Sequence, residues 1–241
     1  MISSYGDFRH AVEGWAAVWR RVRPAALIVA VLGGALMAAA SLAPAMAAGP
    51  LRVAMLGDSL TAGYGLPADA AFPVKLKKAL EDKGIEIEAV NAGVSGDTAS
   101  DGRDRLDWSI PEGTEAVIVE LGANDALRGL DPAVTRAALE DIVKRLRGRG
   151  IAVMLCGMYA PRNLGPDYVA KFDPIYPELA RAYDLTLYPF FLDGVAGDAK
   201  LTQADGLHPN AAGVDVIVAR IAPMVEAFVR RVAAARKAAQ D

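Results

Sequence analysis

The sequence predicts an α/β protein, a doubly wound parallel sheet with helices on both faces. Three observations carry that prediction. Short apolar runs of strand length recur at residues 51–56, 85–90, 116–121, 151–157 and 185–190. Segments of helical period separate them, and such alternation builds a parallel sheet through right-handed crossovers. The first run breaks sharply at Gly57-Asp58-Ser59, a turn at the sheet's carboxyl edge, where open α/β sheets place their ligand sites.

Taken in order, the chain opens with a basic leader. Arg20, Arg21 and Arg23 precede residues 25–43, which carry no charge, and Ala45-Met46-Ala47 follows. A basic flank, an apolar core and an Ala-x-Ala ending make a secretory signal over residues 1–47, leaving residues 48–241 as one mature domain. The expectation is a periplasmic or secreted protein with no stable membrane insertion after cleavage. The same apolar run is just long enough to span a bilayer as an uncleaved anchor. Residues 72–82 then place Val74, Leu76, Ala79 and Leu80 at helical spacing and stop at Lys83-Gly84. Asp131-Pro132 opens a helix, with Asp as cap and Pro in the first turn. Val134, Leu139, Ile142, Val143 and Leu146 mark its apolar face as far as Gly148. Residues 168–183 have a helical pattern interrupted by Pro174 and Pro177, which predicts a kink or two short helices. A last amphipathic helix covers residues 211–238, with a bend at Pro223.

Composition narrows the function. The four arginines and two acids of the first 47 residues, taken from the chain's 26 basic and 29 acidic residues, leave 22 and 27, a net charge of about −5. With no basic stripe interleaved with aromatics, nucleic acid is not an expected partner. The single cysteine, Cys156, lies in an apolar run and reads as a buried strand residue, so no intrachain disulfide can form. His10 belongs to the leader, so one histidine, His208, remains in the mature region. With carboxylates scattered, no metal site and no other cofactor is expected.

Four blocks hold residues suited to ester chemistry: Gly57-Asp58-Ser59-Leu60, Asn91-Ala92-Gly93, Gly122-Ala123-Asn124-Asp125 and Asp205-Gly206-Leu207-His208-Pro209. Three follow strand-like runs and the fourth precedes the last helix, so a parallel sheet brings them to one edge. Acyl transfer needs a nucleophile, a base, a group that orients the base, and donors for the developing oxyanion. Ser59 can be the nucleophile and His208 its base. Asp205, three residues earlier, can accept from the His208 ring and fix its tautomer. The Ser59 N–H, the Gly93 N–H and the Asn124 amide can face the oxyanion. Each block also has a plainer reading: Ser59 as a helix cap, Gly93 as a turn residue, Asn124-Asp125 as a cap, His208-Pro209 as a helix entry. Their coincidence at one edge favours the chemical reading. The G-x-S-x-G elbow is absent, since Thr61 stands where its second glycine would be.

In this order and spacing the blocks resemble the SGNH hydrolases, also called GDSL esterases/lipases. The stretches NAGVSGDT (91–98), VELGANDALRG (119–129) and ADGLHPN (204–210) are similar to the bacterial periplasmic subgroup of thioesterase I, lysophospholipase and arylesterase. The resemblance covers the mature region and implies a flavodoxin-like, three-layer α/β/α sandwich with five parallel strands. It implies Ser59, Gly93, Asn124 and His208 as the four residues of the family name, with Asp205 completing the triad. It also implies a small-molecule or lipid ester or thioester as substrate. Carbohydrate O-deacetylation, acyl transfer and a non-catalytic lipid- or glycan-binding role remain alternatives on the same fold. The loops nominate Leu127, Leu130, Met158, Tyr159 and Leu164 as acyl contacts, with packing on the core as the alternative for each.

Overall fold

A computed structural model describes residues 49–241; the expected signal segment over residues 1–47 lies outside the described residues. Strand β1 (Leu51–Gly57) lies inside the sheet, with Val53, Ala54, Met55 and Leu56 wholly buried. It pairs in parallel with β2 (Ile87–Gly93) on one edge and β3 (Ala116–Glu120) on the other. Strands β4 (Ala152–Cys156) and β5 (Thr186–Tyr188) extend the sheet, giving the order β2-β1-β3-β4-β5. The chain leaves β1 toward β2 and then crosses back to β3, so the reversal of direction falls between β1 and β3. Doubly wound sheets open their ligand crevice at such a point. The register sets Gly57 level with Gly93 on one side and with Glu120 on the other, so the turns that follow begin at one height.

Nine α-helices surround the sheet in the described residues: α1 (Ser59–Ala62), α2 (Phe72–Glu81), α3 (Ala99–Asp104), α4 (Leu106–Ser109), α5 (Ala123–Leu127), α6 (Pro132–Gly148), α7 (Pro166–Phe172), α8 (Ile175–Tyr183) and α9 (Ala211–Ala238). Helix α2 packs on α9, while α3 and α8 pack on α6, which makes the three-layer sandwich. Buried Leu76 and Leu80 of α2, Leu139, Ile142 and Leu146 of α6, and Ile217, Ile221 and Val225 of α9 supply the apolar faces. Each such side chain stabilises by about 1.5–3 kcal/mol. The ion pairs Lys75–Asp215, between α2 and α9, and Lys83–Glu226, from the turn after α2 to α9, are exposed enough to add little.

The sequence pattern and the fold differ in instructive places. Strand β2 begins and ends later than its apolar run, because pairing with β1 draws Asn91, Ala92 and Gly93 into the sheet. Those residues therefore end the strand rather than follow it. Helix α3 has no apolar period and was invisible to one. It starts instead on a capping box, with the Thr98 side chain accepting from the Asp101 N–H and the Asp101 carboxylate accepting from the Thr98 N–H. Pro174 divides the 168–183 segment into the two short helices the pattern allowed, and Pro223 lies inside α9.

Candidate active site

Ser59 opens α1 directly after β1, and the cap of that turn is its neighbour. Asp58 Oδ1 accepts from the Leu60 N–H at 2.9 Å. Ser59 is thereby left free for other contacts. Its Oγ lies 2.9 Å from His208 Nε2, across 149 residues of chain. On the other side of the ring, His208 Nδ1 stands 2.6 Å from Asp205 Oδ2. The Asp205 carboxylate is held down to about 2 by the Leu207 N–H, the His208 ring and the His208 N–H. An ionised Asp205 can only accept, so Nδ1 carries the ring proton and Nε2 faces the serine hydroxyl with its lone pair. Tyr64 covers this imidazole, the ring centroids 4.6 Å apart.

The remaining blocks meet at the same place. Gly93 lies against α1, where a Cβ would come within 2.4 Å of the Ala62 nitrogen, so only glycine fits. Its N–H donates to Asn91 Oδ1 at 3.0 Å. Gly122 precedes α5 at φ 111°, with the Tyr176 hydroxyl where a side chain would stand. That glycine turns Asn124 toward β1, and Asn124 Nδ2 donates to the Asp97 carbonyl at 2.9 Å and to Asp58 Oδ2 at 3.1 Å. Asn124 therefore caps nothing. Asp125 instead ties α5 to its neighbours, accepting from the Ala99 N–H and the Thr135 hydroxyl.

Beneath the nucleophile lies a group that sequence reasoning missed. Asp58 and Glu120 are both buried, and Thr61 Oγ1 donates to Glu120 Oε2 at 2.7 Å. Burial pushes Asp58 up to about 6, against the pull of the Leu60 and Asn124 donors and His208. Burial, with Asp58 close by, pushes Glu120 well above the usual carboxylate range. Buried Arg105 binds Asp97 through Nε at 2.5 Å and the Gly57 carbonyl through an Nη at 2.8 Å. A charged residue ending the apolar run of β3 was the available signal for Glu120. Arg105 gave none. Among the described residues, no three His, Cys, Asp or Glu side chains converge as a metal ion would require.

A cleft of about 500 Å³ opens over Ser59, Asn124 and His208. Leu127, Met158 and Tyr159 line it, together with Leu60, Pro161, Phe190, Leu192 and Leu207. Leu130 and Leu164 are not among the lining residues. The Leu130 carbonyl accepts from the Tyr168 hydroxyl, and Leu164 sits on the 3₁₀ turn Arg162–Leu164 beside Gly129. A second cavity of about 590 Å³ lies at the opposite edge of the sheet, with Glu115, Arg147, Thr186 and Arg231 on its walls and no nucleophile beside a base.

A serine, a histidine and an aspartate in line at the carboxyl edge of a five-stranded parallel sheet define a class, the serine hydrolases. Within it, residues 55–216 match the GDSL-like Lipase/Acylhydrolase family, and the chain belongs to that family. It is 37% identical over 173 residues to Esterase TesA of Pseudomonas aeruginosa, covering 71% of this chain and 86% of that protein. It is 39% identical over 157 residues to thioesterase 1/protease 1/lysophospholipase L1 of Escherichia coli strain K12, covering 65% and 74%. Among solved structures, AlinE4, an SGNH-hydrolase family esterase, is similar with a TM-score of 0.64 at 46% identity, over 73% of this chain and 95% of that one. The protein is a serine ester hydrolase.

Proposed function

We propose that this ester hydrolase works through an acyl-enzyme on Ser59 and that its substrates are carboxylic esters or thioesters with an apolar acyl chain. The 2.9 Å contact between Ser59 Oγ and His208 Nε2 carries the reading. His208 takes the serine proton as Oγ attacks the carbonyl carbon, and returns it to the leaving alcohol or thiol. Water then enters on the same base and releases the acid. Asp205 holds the ring and balances the imidazolium. The Ser59 N–H, the Gly93 N–H and the Asn124 amide serve the oxyanion. Leu127, Met158, Tyr159 and Phe190 give the acyl chain an apolar wall, which suits a lipid-like ester better than an acetylated sugar.

The test is a fluorophosphonate probe together with a panel of esters, acyl thioesters and lysophospholipids. Labelling is expected at Ser59 alone, with turnover abolished in Ser59→Ala. Labelling at Ser95 or Ser100, or an active Ser59→Ala, overturns the assignment. The leader pattern supports export with cleavage after Ala47. Among the described residues, no helix is long and apolar enough to cross a membrane. N-terminal sequencing of protein from the cell envelope should read from Ala48; an intact leader in the membrane would make residues 25–43 an anchor.

A further inference from the structure

An amide nitrogen carries two hydrogens, and those of Asn124 both have acceptors, the Asp97 carbonyl and Asp58 Oδ2. The Gly93 N–H is also taken, by Asn91 Oδ1. In this resting arrangement an oxyanion would have to win Asn124 from a partner. The two partners differ in kind. The Asp97 carbonyl is neutral, whereas a carboxylate makes a charge-assisted bond roughly twice as strong.

We propose that Asp58 is a positioning residue, whose carboxylate holds the Asn124 amide nitrogen beside the nucleophile while its second N–H turns from the Asp97 carbonyl to the oxyanion. The proposal rests on the oxyanion role given to Asn124 above. Three features of Asp58 support it. A carboxylate accepts and cannot donate, so the amide must present nitrogen rather than oxygen to it. Its other oxygen is fixed by the Leu60 N–H, so Asn124 is referenced to the same turn that carries Ser59. And the carboxyl is fully buried, which is costly for a charge. Capping α1 does not require that charge, because serine or asparagine caps as well. Its charge therefore has another use, and among the described residues the one side-chain donor bonded to it is Asn124.

The experiment is a double-mutant cycle in the full-length chain. Asp58→Asn, Asn124→Ala and the pair are compared for kcat, KM and melting temperature on a chromogenic short-chain ester. Asp58→Ser is made in parallel: it keeps a capping oxygen, cannot reach Asn124, and serves if the asparagine variant does not fold. Asp58→Asn or Asp58→Ser should lower kcat by roughly 10- to 100-fold with KM nearly unchanged. In the Asn124→Ala background the same change should cost less than about threefold, because residues acting through one group are not additive. Independent, multiplying losses would overturn the proposal. So would an unchanged kcat with a lowered melting temperature, which marks a cap alone, or a raised kcat, which marks charge repulsion as the stronger effect. An Asn124→Ala enzyme with normal kcat would instead overturn the oxyanion role itself, and the proposal with it.

Discussion

Ser59 is buried on a turn held by distant parts of the chain, whereas His208 rides on an exposed loop that is held mostly by itself. Around the nucleophile, Thr61 reaches Glu120, Arg105 reaches the Gly57 carbonyl, Asn124 reaches Asp58, and Gly93 lets α1 lie against β2. Around the base, Asp205 Oδ1 takes the Leu207 and His208 N–H groups, Gln203 N–H donates to the His208 carbonyl, and Asn210 Nδ2 donates to the Lys200 carbonyl. The side chains of His208 and Asp205 remain 23% and 37% exposed. The difference teaches where function and stability are coupled. Changing the loop should disable chemistry in an intact fold, while changing the support under Ser59 should damage both.

The largest effect expected is on the loop. In Asp205→Asn the carbonyl oxygen can still accept from the two backbone N–H groups, so the loop keeps its shape. The ring loses the charge that fixes its tautomer, and kcat should fall by roughly 10⁴. The melting point should fall by less than in Arg105→Met, a variant on the nucleophile side. A loss of stability comparable to that seen on the nucleophile side would break the contrast.

Arg105→Met tests the other region. It leaves Asp97 without its buried cation and the Gly57 carbonyl without its side-chain donor. Breaking a buried pair from one side costs about 3–5 kcal/mol. At about 2–4 °C per kcal/mol for a chain of this size, calorimetry should find a melting point lower by about 10 °C. Turnover by the molecules that remain folded should also fall, because Arg105 binds the carbonyl of Gly57, which leads into the Asp58-Ser59 turn. Normal kcat in a destabilised Arg105→Met enzyme would separate the support from the chemistry.

The same contrast explains what could be read from the sequence. Asp205 and His208 are three residues apart, so their partnership is local and visible in ADGLHPN. Strands β1, β3 and β4 are largely buried and show as apolar runs, interrupted by Arg52 in β1 and ended by Glu120 in β3. The support under Ser59 depends on pairs such as Thr61 with Glu120 and Arg105 with Gly57, separated by 59 and 48 residues. No periodicity encodes such a pair; it exists once the strand order has set β1 beside β3. Helix α3 escaped for a different reason, being too short and polar to show an apolar face. Leu130 and Leu164 were nominated from loops whose side-chain directions the sequence does not fix.

The smallest effect expected, and the one that sharpens the comparison most, concerns the sign of pH dependence in the two regions. Glu120 is raised far above its ordinary 4.5, so the folded protein keeps a proton that the unfolded chain has released. Stability from this group is therefore fully present below about 4.5 and declines as pH rises above that value. Asp205 has the opposite sign. Its folded value of about 2 lies below the ordinary 3.8, so its contribution is present above 3.8 and is lost as pH falls toward 2. Glu120→Gln imitates the protonated acid in shape, keeps an acceptor for Thr61, and cannot ionise. At pH 5 the variant and the parent should melt within a few degrees of each other. As pH rises from 5 the variant should become the more stable of the two, with kcat changed less than about threefold. A gap that stays constant from pH 5 to 8 would mean that Glu120 is ionised in the fold, and that the nucleophile rests on a buried charge rather than on a neutral acid.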